Sequence, residues 1–161
     1  MKPTYSQIKT AYPGDESKAE LFQLLGSNWD PLVGEDSYNN TCAIRISHAF
    51  NKLGVSVPKK YGTADGGHTE KGGKHVMIKM LTGQKFLKDI YGDTTWGMSK
   101  KAKEPFNFAD LPDRTGILVY KAKFDSGANG HIDVCDGKAC QGNCPAIDVS
   151  EAYEIAMWFI D

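Results

Sequence analysis

Apolar residues recur at the spacing of an α-helix in three segments of the N-terminal half of the chain. The first follows the capping-box sequence Ser17-Lys18-Ala19-Glu20 and ends before Gly26. The second runs from about Thr41 to Leu53, and the third from His75 to Tyr91. Each segment places its apolar side chains on one face, so the pattern predicts three amphipathic helices joined by polar, glycine-rich loops.

The C-terminal half changes to the two-residue alternation of β-strands. Strands are predicted at Thr115–Tyr120, at His131–Cys135 and near Glu154–Ile160. A turn is predicted at Asp125–Gly130, and Asp136-Gly137 is typical of a hairpin. Helices followed by antiparallel strands indicate an α+β fold, in which N-terminal helices pack on a C-terminal antiparallel sheet.

Composition narrows the class of protein. The chain of 161 residues suits a single domain spanning residues 1–161, and its apolar content of 40% is that of a globular fold. Its net charge is −1 with scattered lysines and arginines, which argues against a nucleic-acid partner. No apolar run has the ~20 residues of a membrane span. Residues 1–6 lack the apolar region of a secretory signal peptide.

One cysteine stands where a catalytic nucleophile is expected. Cys42 follows the polar run Tyr38-Asn39-Asn40-Thr41 and lies in the first turn of the second predicted helix. The N-terminal end of a helix stabilises a thiolate, and its unpaired N–H groups are suited to bind an oxyanion. The competing interpretation is a buried structural thiol, since Cys42 shares the apolar face of Ile46.

A histidine suited to act as the base begins a predicted strand. His131 follows Gly130, which permits close approach of another chain. Ile132 and Val134 face one side of the sheet, which leaves His131 on the other side, where it can meet a helix end. We therefore expect His131 to pair with Cys42.

The sequence leaves two candidates for the group that orients this histidine. A regular hairpin return places Asn143 opposite His131, whereas a bulge moves the opposite position towards Asp148. We favour Asp148, because a carboxylate stabilises an imidazolium better than an amide does. Asp133 is interpreted as a neighbour of His131 rather than its orienting group. The other histidines, interpreted as structural or exposed, are His48, His68 and His75.

The remaining cysteines lie within ten residues of one another. We predict that Cys140 and Cys144 form a disulfide across their short loop and that Cys135 is free. Such a bridge requires an oxidising compartment. A zinc set of His131 with these three cysteines is disfavoured, because the spacing lacks the C-x2-C knuckle of structural zinc sites. We expect no metal and no cofactor.

Together these motifs resemble one family. Residues 38–51, from Tyr38 through Cys42 to Asn51, are similar to the nucleophile segment of the type VI secretion amidase effectors, fourth family. Three later blocks match that family in the same order: Gly116–Val119, Gly130–Val134 and Cys140–Cys144. The resemblance covers most of the chain. The blocks together indicate this family more specifically than any one block alone.

The resemblance implies a papain-like fold of the NlpC/P60 type and an antibacterial peptidoglycan amidase. Such an enzyme cleaves stem peptides between γ-D-glutamate and meso-diaminopimelate. It is made in the donor cytoplasm, injected by the type VI machinery into the periplasm of a rival cell, and blocked by a cognate immunity protein. Cys42 takes the position of the nucleophile and His131 that of the base.

This chain departs from the family at the third catalytic residue. Related effectors can carry an aspartate inside the short cysteine loop, at the place held here by Gly142. The orienting group is therefore expected to be Asp148 or Asn143. Two alternative functions are a papain-like cysteine hydrolase acting on another substrate and a non-enzymatic binding module with structural cysteines.

Overall fold

The computed structural model describes residues 1–99, 110–122, 130–136 and 152–161. None of the helices in these ranges is long and apolar enough to cross a membrane. Two short 3-10 helices, Ser27–Leu32 and Asp36–Tyr38, lie between the second and third α-helices. The α-helices are α1 (Tyr5–Ala11), α2 (Lys18–Leu25), α3 (Cys42–Lys52), α4 (Lys59–Ala64) and α5 (Met80–Tyr91).

The strands of the described chain form one antiparallel sheet. They are β1 (Trp96–Ser99), β2 (Gly116–Ala122), β3 (Gly130–Cys135) and β4 (Ala152–Phe159). Their order in the sheet is β1-β4-β2-β3. In the β2–β3 ladder, Tyr120 lies opposite His131 and Leu118 opposite Asp133.

The helices cover one face of this sheet, as the sequence predicts for an α+β fold. The main core lies between the inner faces of α3 and α5 and the helix-facing side chains of β2, β3 and β4. Ile132 and Val134 of β3 belong to this core, whereas Cys135 belongs to a second cluster on the opposite face. The largest apolar members of the main core include Ile46, Phe50, Phe86, Ile117 and Trp158.

The second predicted helix and the three predicted strands are confirmed with small shifts of their ends. The third predicted helix is wrong in its first five residues, because α5 begins at Met80 and not at His75. His75 instead pairs with Thr69 in an isolated β-bridge. The Val76 N–H donates to the carbonyl of His68, which holds this segment in an extended path.

The start of α5 is fixed by a carboxylate that is distant in sequence. Asp65 accepts hydrogen bonds from the N–H groups of Ile78 (2.7 Å) and Lys79 (2.8 Å). Its other oxygen accepts from the Thr82 hydroxyl at 2.7 Å. These bonds fix the two residues that precede α5 and the Thr82 side chain in its first turn. Because Asp65 lies outside the helix, the sequence around Met80 carries no signal for the start of α5.

Short elements account for the other differences from the sequence prediction. The loops expected at 27–40 and 55–74 contain the two 3-10 helices and α4. Helix α1 was not predicted, although Thr4 and Gln7 form a capping box at its start. Gly137 of the hairpin expected at Asp136-Gly137 lies outside the described residues.

Helices α4 and α5 are joined on the surface by a small polar cluster. Asp89 of α5 accepts hydrogen bonds from the Tyr61 hydroxyl (2.5 Å) and from Lys60 Nζ (2.9 Å). The hydrogen bond from Tyr61, followed by that from Lys60, lowers the pKa of the Asp89 carboxyl below its usual value. The cluster is exposed to solvent, so its contribution to stability is small.

We predict that Asp65→Asn destabilises the protein by about 1–3 kcal/mol, because a buried acceptor of three hydrogen bonds is weakened. Urea unfolding followed by circular dichroism measures the change. Asp93→Asn is the matched control, since Asp93 lies exposed in a surface ion pair with Lys88. Equal unfolding midpoints for the two variants would contradict this role of Asp65.

Candidate active site

Cys42 is the first residue of α3 and lies at the edge of the main core. Its side chain is only 1% exposed, and its thiol is free. The prediction that Cys42 lies in the first turn of a helix is therefore confirmed. Because the sulfur is covered, a substrate carbonyl reaches it only when neighbouring groups move aside.

The N-cap residue of α3 makes no capping hydrogen bond with its own side chain. Thr41 occupies the N-cap position, but its hydroxyl oxygen accepts a hydrogen bond from Arg45 Nε at 2.9 Å. A threonine at this position ordinarily accepts from the N–H groups of the first turn. Since Thr41 is engaged elsewhere, those N–H groups can stabilise negative charge on a thiolate or an oxyanion.

Arg45 also anchors this turn to the N-terminal part of the chain. Its Nη2 donates to the carbonyl oxygen of Glu16 at 2.7 Å, and its Nη1 donates to that of Pro13. Arg45 thus holds the start of α3 against the segment that connects α1 and α2. Three bonds from one guanidinium fix its position.

Asn40 connects the start of α3 with the start of β3. Its Nδ2 donates to the carbonyl oxygen of Gly130 at 3.0 Å. Its Oδ1 accepts from the backbone N–H of Cys42 at 3.4 Å. One side chain therefore joins the backbone of Cys42 to the residue before His131.

Two glycines allow close packing at this junction. A Cβ at Gly83 of α5 would lie 2.8 Å from Ile132 Cδ1 and 3.5 Å from Ala43 Cβ. These are the residues that follow His131 and Cys42. At Gly130, a Cβ would lie 2.0 Å from the carbonyl oxygen of Tyr120. Only glycine fits at either position without a rearrangement of the packing.

His131 is the second residue of β3, and its side chain is 18% exposed. Its ring centroid lies 5.6 Å from that of Tyr120 on the neighbouring strand. Its Nε2 lies 3.3 Å from Asp133 Oδ2. Within the described residues, no hydrogen bond joins the His131 ring to the Cys42 sulfur. The structure thus brings the two backbone segments together but leaves the side chains without a direct bond, which is common in unliganded active sites.

Asp133 is in direct contact with His131. We expected a neighbour of His131, and its carboxylate bonds to the histidine ring and is fully buried. The alternation of β3 puts both side chains on one face, and this signal was available in the sequence. The expected orienting residues, Asp148 and Asn143, lie outside the described part of the chain.

The other histidines have structural contacts, as expected. His48 Nδ1 lies 2.7 Å from Glu70 Oε2, and both side chains are largely buried. His68 shares a hydrogen bond of 3.1 Å with the Tyr38 hydroxyl. His75 lies against Gly62, where a Cβ would come within 2.6 Å of it.

Cys135 is disulfide-bonded, so the expectation that this thiol is free is wrong. The chain has four cysteines, and Cys42 is free. Cys140 and Cys144, which lie outside the described residues, are the remaining candidates for its partner. A bridge between those two is incompatible with a bridge from Cys135 to either of them. The sulfur of a disulfide is also not a thiolate ligand, which argues against a zinc set containing Cys135.

The fold and the junction define a class of protein. Helices pack on one face of an antiparallel sheet, a cysteine begins the central helix, and a glycine–histidine pair begins the adjacent strand. This arrangement is that of the papain-like α+β hydrolases of the NlpC/P60 type. The expected fold class is confirmed by the solved structures that the chain resembles.

The profile of one family, described as type VI secretion system (T6SS) amidase effector protein 4, or Tae4, matches residues 38–158. The chain therefore belongs to this family. Membership confirms the expected class, an antibacterial peptidoglycan amidase delivered by type VI secretion, and it excludes a non-enzymatic binding module. A comparison with curated proteins found no match.

Solved structures of this family have the same fold. The effector Tae4 from Enterobacter cloacae is 22% identical, with a TM-score of 0.81 over 100% of this chain and 98% of its own. The Tae4 of a Tae4–Tai4 effector–immunity complex from Salmonella typhimurium is 18% identical, with a TM-score of 0.82 over 100% of both chains. A Tae4–Tai4 complex from Enterobacter cloacae gives 21% identity and a TM-score of 0.81, again over 100% of both chains.

We predict that Asn40→Ala lowers kcat/KM for peptidoglycan by about ten- to a hundredfold, because the helix start and the strand start are no longer joined. The free energy of unfolding should fall by about 1–2 kcal/mol. Initial rates of sacculus digestion and urea unfolding measure the two effects.

The matched control for this change is Asn39→Ala. Asn39 is exposed, and its side chain bonds to Lys18 Nζ at 2.8 Å and not to β3. We expect Asn39→Ala to digest sacculi at nearly the rate of the unmodified protein. If both variants digest equally well, Asn40 does not position the site.

Proposed function

We propose that this amidase hydrolyses the amide bond between γ-D-glutamate and meso-diaminopimelate in peptidoglycan stem peptides. Cys42 is the nucleophile and His131 the general base and acid. The single observation that carries these roles is the Asn40 bridge, which joins the backbone of Cys42 to Gly130, the neighbour of His131. The first turn of α3, which Thr41 does not cap, supplies the positive environment that a thiolate needs.

The reaction follows the chemistry of cysteine amidases. His131 takes the thiol proton, and the Cys42 sulfur attacks the γ-glutamyl carbonyl carbon to give a tetrahedral oxyanion. Its collapse breaks the C–N bond, and the imidazolium gives its proton to the departing amine of diaminopimelate. His131 then takes a proton from water, and the hydroxide attacks the thioester. The products are a free γ-carboxyl group, a free amine and the regenerated thiol.

The first-turn N–H groups of α3 are suited to bind the oxyanion. The Cys42 N–H already donates to Asn40 Oδ1, but this bond is long at 3.4 Å. A negatively charged oxygen is a stronger acceptor than a neutral amide oxygen. We therefore propose that the oxyanion displaces Asn40 from the Cys42 N–H, while the bond from Asn40 to Gly130 is retained.

We propose that the protein acts in the periplasm of the target cell after synthesis in the donor cytoplasm. Peptidoglycan lies in that compartment, and delivery by type VI secretion follows from the family. The disulfide of Cys135 supports the same location, since disulfides persist in oxidising compartments. Residues 1–161 are proposed to act as one amidase domain.

A cognate immunity protein is the proposed inhibitor. The related Tae4 effectors from Salmonella typhimurium and Enterobacter cloacae have structures with an immunity protein, Tai4. We propose that an immunity protein binds over Cys42 in kin cells and so prevents access of the substrate.

We predict that Cys42→Ala abolishes the release of fragments from purified sacculi. Mass spectrometry of the wild-type digest should find the new amine on diaminopimelate and the new γ-carboxyl group on glutamate. Ser99→Ala is the control, because Ser99 is exposed on β1. Fragments released at the same rate by Cys42→Ala would refute the nucleophile, and cleavage at another bond would indicate another substrate.

Alkylation provides a test of the same pair that needs no substrate. Iodoacetamide at pH 6 should modify Cys42 in the native protein, with the site identified by peptide mapping. His131→Ala should slow this reaction, because the imidazolium no longer stabilises the thiolate. A thiol that resists alkylation whether or not His131 is present would indicate a structural cysteine.

For the disulfide, we predict that Cys135 is bridged to Cys140 or to Cys144. Peptide mapping under non-reducing conditions, after alkylation of free thiols, identifies the pair. Cys42 and one of the two loop cysteines should carry the alkyl label. A bridge between Cys140 and Cys144, with Cys135 alkylated, would restore the pairing that the sequence suggested.

A further inference from the structure

A buried carboxylate lies beside the histidine of the proposed site. Asp133 Oδ2 is 3.3 Å from His131 Nε2, and Asp133 is 0% exposed. The two residues are two positions apart on β3, so strand geometry directs both side chains to one face. Their contact is therefore built into the backbone and does not depend on a flexible loop.

A carboxylate without solvent is costly unless hydrogen bonds and opposite charge compensate its burial. Asp133 Oδ1 accepts a hydrogen bond from the Val134 N–H at 2.7 Å. This bond fixes the carboxylate and presents Oδ2 to the histidine ring. A protonated imidazole at 3.3 Å supplies the opposite charge at the stage of the reaction when His131 carries the extra proton.

We infer that Asp133 is a positioning residue that holds the His131 ring through its Nε2, which makes Nδ1 the nitrogen that exchanges a proton with Cys42. This inference rests on the proposed roles of Cys42 and His131. It adds a carboxylate on the histidine's own strand to the groups that orient the ring.

The direction of the hydrogen bond sets the tautomer. A carboxylate only accepts, so a neutral His131 keeps its proton on Nε2 and presents an unprotonated Nδ1. That nitrogen can then accept the thiol proton of Cys42. Tyr120, whose ring lies 5.6 Å away on β2, limits rotation of the imidazole on the sheet side.

The first test uses Asp133→Asn, which preserves size and removes the charge. An amide offers an N–H as well as an oxygen, so it can stabilise the wrong tautomer. We expect kcat on sacculus fragments to fall by at least about a hundredfold, with a much smaller change in KM. Asp93→Asn is the matched control, since Asp93 is exposed on the surface.

Two further readouts separate positioning from a general loss of structure. The rate of Cys42 alkylation should change at the pH where His131 loses its proton. Asp133→Asn should move this change to lower pH, because the imidazolium loses its neighbouring negative charge. In nitrogen-15 spectra of the Cys42→Ala protein, neutral His131 should carry its proton on Nε2. This measurement leaves Asp133 unchanged, so it remains decisive if Asp133→Asn fails to fold.

Several outcomes would overturn the inference. One is a neutral His131 with its proton on Nδ1. Another is an Asp133→Asn protein with native kcat and an unshifted pH dependence of alkylation. A third is loss of activity in Asp148→Asn while Asp133→Asn stays active. In each case Cys42→Ala remains inactive if the proposed function is correct, whereas an active Cys42→Ala protein refutes that function independently of Asp133.

Discussion

The proposed chemistry depends on one interaction between distant parts of the chain. Asn40 bonds to the Gly130 carbonyl with one end of its amide and accepts from the Cys42 N–H with the other. A helix start and a strand start are thereby held side by side, although 90 residues separate Asn40 from Gly130 in sequence. A nucleophile and its base need such an alignment, because small displacements of reacting groups greatly reduce rates.

Packing reinforces this junction from the opposite side. Gly83 of α5 lies against Ala43 and Ile132, the residues that follow Cys42 and His131. The position of α5 is in turn set by Asp65, which binds the two residues before its first turn. The site is therefore supported by backbone bonds and close packing, while the sulfur remains covered. A rigid frame with a guarded nucleophile suits an enzyme that must not react before it meets its substrate.

Local patterns predicted the parts of the fold that depend on local physics. The apolar stripe and glycine stop of α3 and the alternation of β2 and β3 correspond to elements of the structure. The start of α5 was missed because it is fixed by the distant Asp65. The bonded state of Cys135 was missed because spacing alone does not determine cysteine pairing. The contact between Asp133 and His131 follows from strand alternation, which puts both side chains on one face. The bond from Asn40 to Gly130 joins residues that are 90 positions apart, so the pattern of neither segment alone predicts it.

The most direct measurement is a double-mutant cycle between Asn40→Ala and His131→Ala, read as the rate of Cys42 alkylation at pH 6. If Asn40 acts by aligning the helix start with the strand that carries the histidine, its removal should slow alkylation strongly when His131 is present. When His131 is already replaced, Asn40→Ala should slow alkylation only slightly further. Fully additive effects of the two substitutions would show that Asn40 and His131 act independently, and would contradict the alignment of this pair.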